Sequence, residues 1–203
     1  MKRIISIIIV AIMIFCLAAC GPSSSRLNEP TEVGTWEITI QKIQFAKSIT
    51  RFLSSNQIDS YENLLVPNGQ DSSSLGLDQG EVFAVVTYTM KNIGKESTRI
   101  WNIDTREFDG VGRFVYSDGY IFENDDTDHR PQPYVFSEGS RIEMASDYVL
   151  NPLSSEVECR VCFVLPEEIV TNTEKSLTYE ITINESGKDK TIRFEVPDRS
   201  IIE

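Results

Sequence analysis

One histidine in 203 residues closes most imidazole chemistry to this chain. His129 has no second histidine with which to complete a metal triad, and any Ser-His-Asp site would have to be built on it alone. It stands in Asp125-Asp126-Thr127-Asp128-His129-Arg130-Pro131, a hydrophilic stretch where an imidazole is ordinarily just solvated. The sequence also lacks a Gly-x-Ser-x-Gly elbow, a phosphate-cradling glycine loop and a His-Glu-x-x-His pair, so those hydrolase, nucleotide and zincin signatures are excluded. Basic residues are few: 19 Lys and Arg stand against 31 Asp and Glu, a formal charge of −12. Such a surface repels nucleic acid and anionic headgroups. No nucleic-acid partner and no cofactor are expected, and nothing in the residues points to an enzyme.

Cysteine is sparse as well, four in all. Cys16 and Cys20 lie near the N-terminus, which leaves Cys159 and Cys162 in Glu156-Val157-Glu158-Cys159-Arg160-Val161-Cys162-Phe163. Cys-x-x-Cys suggests a redox pair or half a metal site, but redox motifs open a helix and this one interrupts an alternating strand pattern. In an extended chain, residues three apart are separated by about 10 Å and point to opposite faces, which no disulfide spans without a bulge. No second Cys-x-x-Cys supplies the remaining zinc ligands. Two reduced thiols are expected, Cys159 in the core and Cys162 on the other face, open to alkylation.

The longest apolar run begins after Met1-Lys2-Arg3 and extends from Ile4 to Phe15, broken only by Ser6. Ile4 to Ala19 is shorter than the ~20 residues a helix needs to cross the hydrocarbon core, and Gly21-Pro22 cannot extend it. A basic start, an apolar middle and small residues before a cysteine are the regions of a signal peptide. The ending Leu17-Ala18-Ala19-Cys20 resembles the lipobox of bacterial lipoproteins. That resemblance implies cleavage before Cys20, a diacylglyceryl thioether on its sulfur and residence on the outer face of the bacterial cell membrane. Two acyl chains hold firmly where one is marginal, at about 0.8 kcal/mol per buried methylene. Loss of residues 1–19 would take Lys2 and Arg3 with it and move the formal charge from −12 to −14.

Three divisions are expected: a leader over 1–19, a lipidated cysteine with a flexible tether over 20–32, and one domain over 33–203. Gly34 to Gln41 alternates, with Trp36, Ile38 and Ile40 on one face; Ile43 and Phe45 then fall at an odd offset that predicts a bulge. Lys47 to Gln79 reads as a long insertion with a turn or two of helix around Ile49, Phe52 and Leu53. Glu81 to Asn92 opens apolar on both faces, the mark of a central strand. Asn92-Ile93-Gly94-Lys95 is turn chemistry, with Gly94 free to take positive φ. Ser117-Asp118-Gly119 predicts a three-residue hairpin loop with glycine at its left-handed position. Val157 to Leu165 reads as a strand stopped by Pro166, and Leu177 to Ile183 with Thr191 to Val196 as a closing hairpin. Short strands without a strand-helix-strand rhythm predict an all-β fold, an antiparallel sandwich of about seven strands.

Three features in this order, the Gly34 to Ile40 strand with its Gly-x-Trp, the Lys91-Asn92-Ile93-Gly94-Lys95 strand end and Phe163-Val164-Leu165-Pro166, carry a resemblance. They are similar to a domain of unknown function recurring on surface lipoproteins of Gram-positive bacteria, with the immunoglobulin-like fold of the immunoprotective extracellular proteins. It covers Val33 to Val196 in outline and implies an immunoglobulin-like sandwich without catalytic residues. The insertion between Lys47 and Gln79 and the two cysteines before Phe163 depart from its pattern.

Two constellations are candidate sites. Glu123, Asn124, Asp125, Asp126 and Asp128 cluster hard oxygen ligands of the kind Ca²⁺ takes, although their spacing is not that of an EF-hand. Trp101, Tyr134 and Phe136 fall in turn-rich segments, where rings can stack on sugars or anchor a protein. The function expected is a membrane-anchored binding module for a protein or cell-wall polymer. A cell-wall hydrolase using carboxylates of the Glu123 to Asp128 region, or a calcium-stabilised adhesive domain, is the alternative. Hydrolysis needs one carboxyl raised by an apolar setting, and this stretch offers none.

Overall fold

The computed structural model describes residues 23–52, 77–99, 112–117, 119–122, 134–136, 142–144, 148–185 and 188–203. Two sheets face one another. Sheet A orders its strands β1 (Ser23–Ser25), β13 (Lys188–Glu195), β12 (Leu177–Glu185), β6 (Arg113–Tyr116) and β7 (Tyr120–Phe122). Sheet B runs β14 (Ile201–Ile202), β3 (Trp36–Ala46), β4 (Glu81–Asn92), β11 (Val157–Pro166), β8 (Tyr134–Phe136) and β9 (Ile142–Met144), with β2 (Thr31–Val33) also on β3. β5 (Thr98–Arg99) and β10 (Val149–Leu150) form a separate ribbon. The mostly antiparallel sandwich expected from the sequence is therefore present, but with more strands than seven and with two parallel pairs, β1 on β13 and β14 on β3. Strands of two or three residues carry too little periodicity to be read in advance.

The core follows the alternation. Trp36, Ile38 and Ile40 are buried on one face of β3, and the register slips between Ile40 and Lys42 before Ile43 and Phe45 turn inward. The bulge is where the odd offset put it. β4 lies between β3 and β11; Val82, Ala84, Val86, Tyr88 and Met90 face the core, while Val85, Thr87 and Thr89 on the other face are buried too. Phe114 and Tyr179 from sheet A meet Phe45 and Phe163 from sheet B, with Phe114 and Phe163 edge to face at 5.1 Å. This ring cluster joins the two sheets.

Several expectations are corrected. Residues 23–25 and 31–32, expected in the flexible tether, are in paired strands, because edge positions on β13 and β3 satisfy their backbone groups. Pro166 ends β11 but opens a short helix, α1 (Glu167–Thr171), burying Ile169 and Val170. Five residues hold barely one helical period, whereas proline before two glutamates is a helix-start signal. The β12–β13 hairpin is longer than expected, paired out to Glu185 and Lys188. In the β6–β7 loop the left-handed residue is Ser117 at φ 52°, with Gly119 at φ 124°. Gly94 is not at positive φ; a Cβ there would come within 2.9 Å of Thr35 and 3.1 Å of Asn92 Oδ1, so the turn needs closeness.

The insertion after β3 starts as a 3₁₀ turn over Ile49–Phe52, in keeping with the helical spacing expected there; residues 53–76 lie outside the described residues. Its entry is pinned: Lys47 Nζ donates to Glu167 Oε2 at 2.5 Å and to the Glu81 carbonyl at 3.1 Å.

Candidate functional site

Most of the sequence-derived candidates fall outside the described residues: Cys20, Trp101, Glu123, Asn124, Asp125, Asp126, Asp128 and His129. Among the described residues there is no group of three His, Cys, Asp or Glu able to hold a metal, and no helix long and apolar enough to cross a membrane. Tyr134 and Phe136 are in β8 rather than in a loop, a correction whose cause is visible in Tyr-Val-Phe, a β-prone triplet after Pro133. In the sheet register Tyr134 stands opposite Arg160 and Phe136 opposite Glu158.

Those two partners lead to a cleft on the outward face of sheet B. Lys42 of β3 pairs with Thr87 of β4, and Thr87 with Arg160 of β11, so the row Lys42, Thr87, Arg160 crosses three strands and continues in register to Tyr134. Cross-strand neighbours share a face, which brings Lys42, Thr87 and Arg160 together. The cleft holds about 290 Å³ and is lined also by Gln41, Gln44, Arg51, Phe52 and Glu158. The bulge between Ile40 and Lys42 sets two consecutive polar residues, Gln41 and Lys42, on the outer side, as bulges do when they re-aim a side chain. The 3₁₀ turn supplies the other wall with Arg51 and Phe52.

Arg160 ties the wall to the floor. Its Nε and Nη2 donate to Glu158 Oε1 at 2.9 and 2.7 Å, and its Nη1 donates to the Phe52 carbonyl. Glu158 and Arg160 are two apart on β11 and so point the same way, a reading available from the Glu-x-Arg spacing but not made from it. Lys42 and Arg51 are exposed. Three cations, one carboxylate and two amides thus line one cleft on a chain of net charge −12, with Arg160 paired to Glu158 and Lys42 and Arg51 exposed at its rim.

A second ionic group lies on the outward face of sheet A. Glu180 stands in register between Arg193 of β13 and Arg113 of β6. Arg113 Nε and Nη2 both reach Glu180 Oε2 at 3.0 Å, while Arg193 Nε donates to Oε1. The carboxylate is 2% exposed and satisfied from both sides. That geometry locks three strands together.

The two cysteines sit as expected. Cys159 is fully buried and Cys162 half-buried on the opposite face, with no disulfide between them. Burial pushes the Cys159 thiol well above its ordinary value, and the Glu158 charge beside it adds to the rise. Thiolate, the reactive form, is thereby suppressed. In the peptides that carry Cys159 and Cys162, iodoacetamide at pH 8 should modify Cys162 alone in native protein and both thiols in urea, read by mass spectrometry; native labelling at Cys159 would contradict its burial. The sign for stability follows: the unfolded thiol ionises near 9.0 while the folded one does not, so this residue's effect is absent below that pH and destabilising above it.

No known protein-family model matches this chain, and no curated protein does either. Solved structures do. An uncharacterised β-sandwich protein from Clostridium difficile is 16% identical, with a TM-score of 0.54 over 87% of this chain and 95% of that one. The fold is a β-sandwich. A conserved hypothetical protein from Bacillus anthracis is 13% identical, with a TM-score of 0.43 over 82% and 93% of the respective chains. A lipoprotein candidate from Bacillus subtilis is 15% identical, with a TM-score of 0.40 over 82% of this chain but 38% of that one. At these identities the first likeness speaks for the fold alone.

Proposed function

We propose that this chain is an extracytoplasmic binding module, held at the outer face of a bacterial membrane by a diacylglyceryl group on Cys20. On this reading it grips an anionic group of a cell-wall polymer or surface protein in the cleft of sheet B. The address rests on Leu17-Ala18-Ala19-Cys20 behind a short apolar leader. Binding rests on one observation, the gathering of Lys42, Arg51 and Arg160 around a recess in an acid-rich protein. Guanidinium groups suit carboxylate and phosphate because their donors lie in a planar fork. Glu158, the carboxylate lining the cleft, is held by Arg160, which leaves Lys42 and Arg51 as the exposed cations at its rim. The resemblance to surface-lipoprotein domains agrees with this habitat and carries no catalytic residues with it.

A photocrosslinking side chain at Gln41, introduced into the chain on intact cells, tests the site. An adduct to an envelope component is expected, and Lys42→Glu with Arg51→Glu should reduce it at least tenfold. An adduct that survives both charge reversals would remove the cleft from consideration.

A further inference from the structure

We infer that the anionic group held in the cleft of sheet B is borne by a sugar unit whose hydroxyls complete the site; this rests on the anion-binding reading above. The lining carries both signs of charge. Lys42, Arg51 and Arg160 stand against Glu158 alone, which leaves two positive charges over for a ligand. Lys42 and Arg51 are exposed, and among the described residues neither side chain has a hydrogen bond or an ion pair. The same holds for the side-chain amides of Gln41 and Gln44. Glu158 is served on one oxygen only: Arg160 Nε and Nη2 both donate to Oε1, and Oε2 has no partner among the described residues. Cations, amides and an acceptor-only carboxylate oxygen therefore line one recess with hydrogen-bonding capacity unused.

The carboxylate decides the ligand class. A bare anion drawn in by Lys42 and Arg51 meets Glu158 with no proton to give it, and two negative charges brought together repel. An unmatched charge in a site discriminates against such ligands. A hydroxyl beside the anionic group removes the conflict, since its O–H donates to Oε2 while its oxygen accepts from an amide. Sites that hydrogen-bond a hydroxyl reject ligands lacking it, because their own polar groups are then left unpaired. An Asp or Glu of a protein partner brings a carboxylate without hydroxyls and meets that penalty.

Size and lining agree with one sugar unit. The volume of about 290 Å³ lies near the ~300 Å³ lower end of ligand pockets, room for a ring and its substituent. Phe52 and Ile202 add apolar surface to the lining, which suits the C–H faces of a sugar ring.

The test titrates the full chain, in non-ionic detergent micelles, with glucuronate, galacturonate, glucose 1-phosphate and galactose 1-phosphate. Glucose, galactose and inorganic phosphate are the controls, and dissociation constants are read by nuclear magnetic resonance of the ligands. At least one acidic sugar is expected to bind tenfold or more tightly than its neutral parent and than inorganic phosphate; whether it is a uronate or a sugar phosphate identifies the source of the charge. In Glu158→Gln the ratio of acidic-sugar to phosphate affinity should fall at least fivefold, because a neutral amide no longer penalises the bare anion. Lys42→Gln with Arg51→Gln should weaken both ligands. Inorganic phosphate binding as tightly as every acidic sugar, or a ratio unchanged in Glu158→Gln, overturns the sugar assignment and leaves the anion reading standing. If no acidic sugar binds, the assignment also falls, and the anion reading then depends on the Gln41 crosslink alone.

Discussion

Phe114→Ala should lower the unfolding free energy by about 3–5 kcal/mol, a large part of the 5–15 kcal/mol a domain of this size holds. Phe114 is fully buried, and its ring faces Phe163 at 5.1 Å, Tyr179 at 5.3 Å and Phe45 at 6.4 Å. Two of those partners belong to the opposite sheet, so truncation opens a cavity at the seam rather than within one layer. The backbone cannot collapse into it, because β6 is paired on both sides, by β12 and by β7. Phe114→Leu keeps most of the volume and should cost roughly half as much. Urea unfolding followed by tryptophan fluorescence measures both. A loss below 1 kcal/mol for the alanine variant would mean that the rings do not hold the sheets together.

Glu180→Ala should cost about 2–3 kcal/mol, less than the 3–5 typical of a broken buried pair, because Arg113 and Arg193 are 32% and 48% exposed and water screens them. Removal of the carboxylate leaves the Arg113 and Arg193 guanidinium groups on either side of the position it occupied. Their repulsion, rather than the lost hydrogen bonds alone, dominates the effect. A second change therefore restores stability: Glu180→Leu with Arg113→Leu should recover at least half of the loss of Glu180→Leu. Added salt should narrow the gap between wild type and the single variant. If the double variant were less stable than the sum of its parts, the arginines would not be repelling one another.

Much of the frame was legible in advance. The alternation of Trp36, Ile38 and Ile40, the bulge beside Lys42 and the two-sided burial of β4 all follow from local rules, because a strand's period is short enough to show within eight residues. Cys159 and Cys162 were separable for the same reason. The short pieces were not legible. β1, β2 and β14 pair because an edge strand offers them open backbone groups, and a serine triplet carries no mark of that opportunity. Tyr134 and Phe136 looked like loop residues because prolines and polar residues surround them; their pairing with β11 depends on an edge supplied by residues more than twenty positions away.

The cleft shows the division most plainly. Composition told that cations are scarce, and the Glu-x-Arg spacing held an unread sign that Glu158 and Arg160 point one way, but Lys42, Arg51 and Arg160 are separated by up to 118 positions. Their meeting depends on which strand lies beside β4 and on where the 3₁₀ turn folds back. Likewise the leader motif is legible in four adjacent residues, while the parallel pairing of β1 with β13 emerges only from the tertiary structure. Local chemistry is written in neighbouring side chains, so periodicity, turns and a processing motif can be read in order along the chain. Partners distant along the chain are chosen by the free energy of the whole assembly, and no single stretch of residues carries that choice.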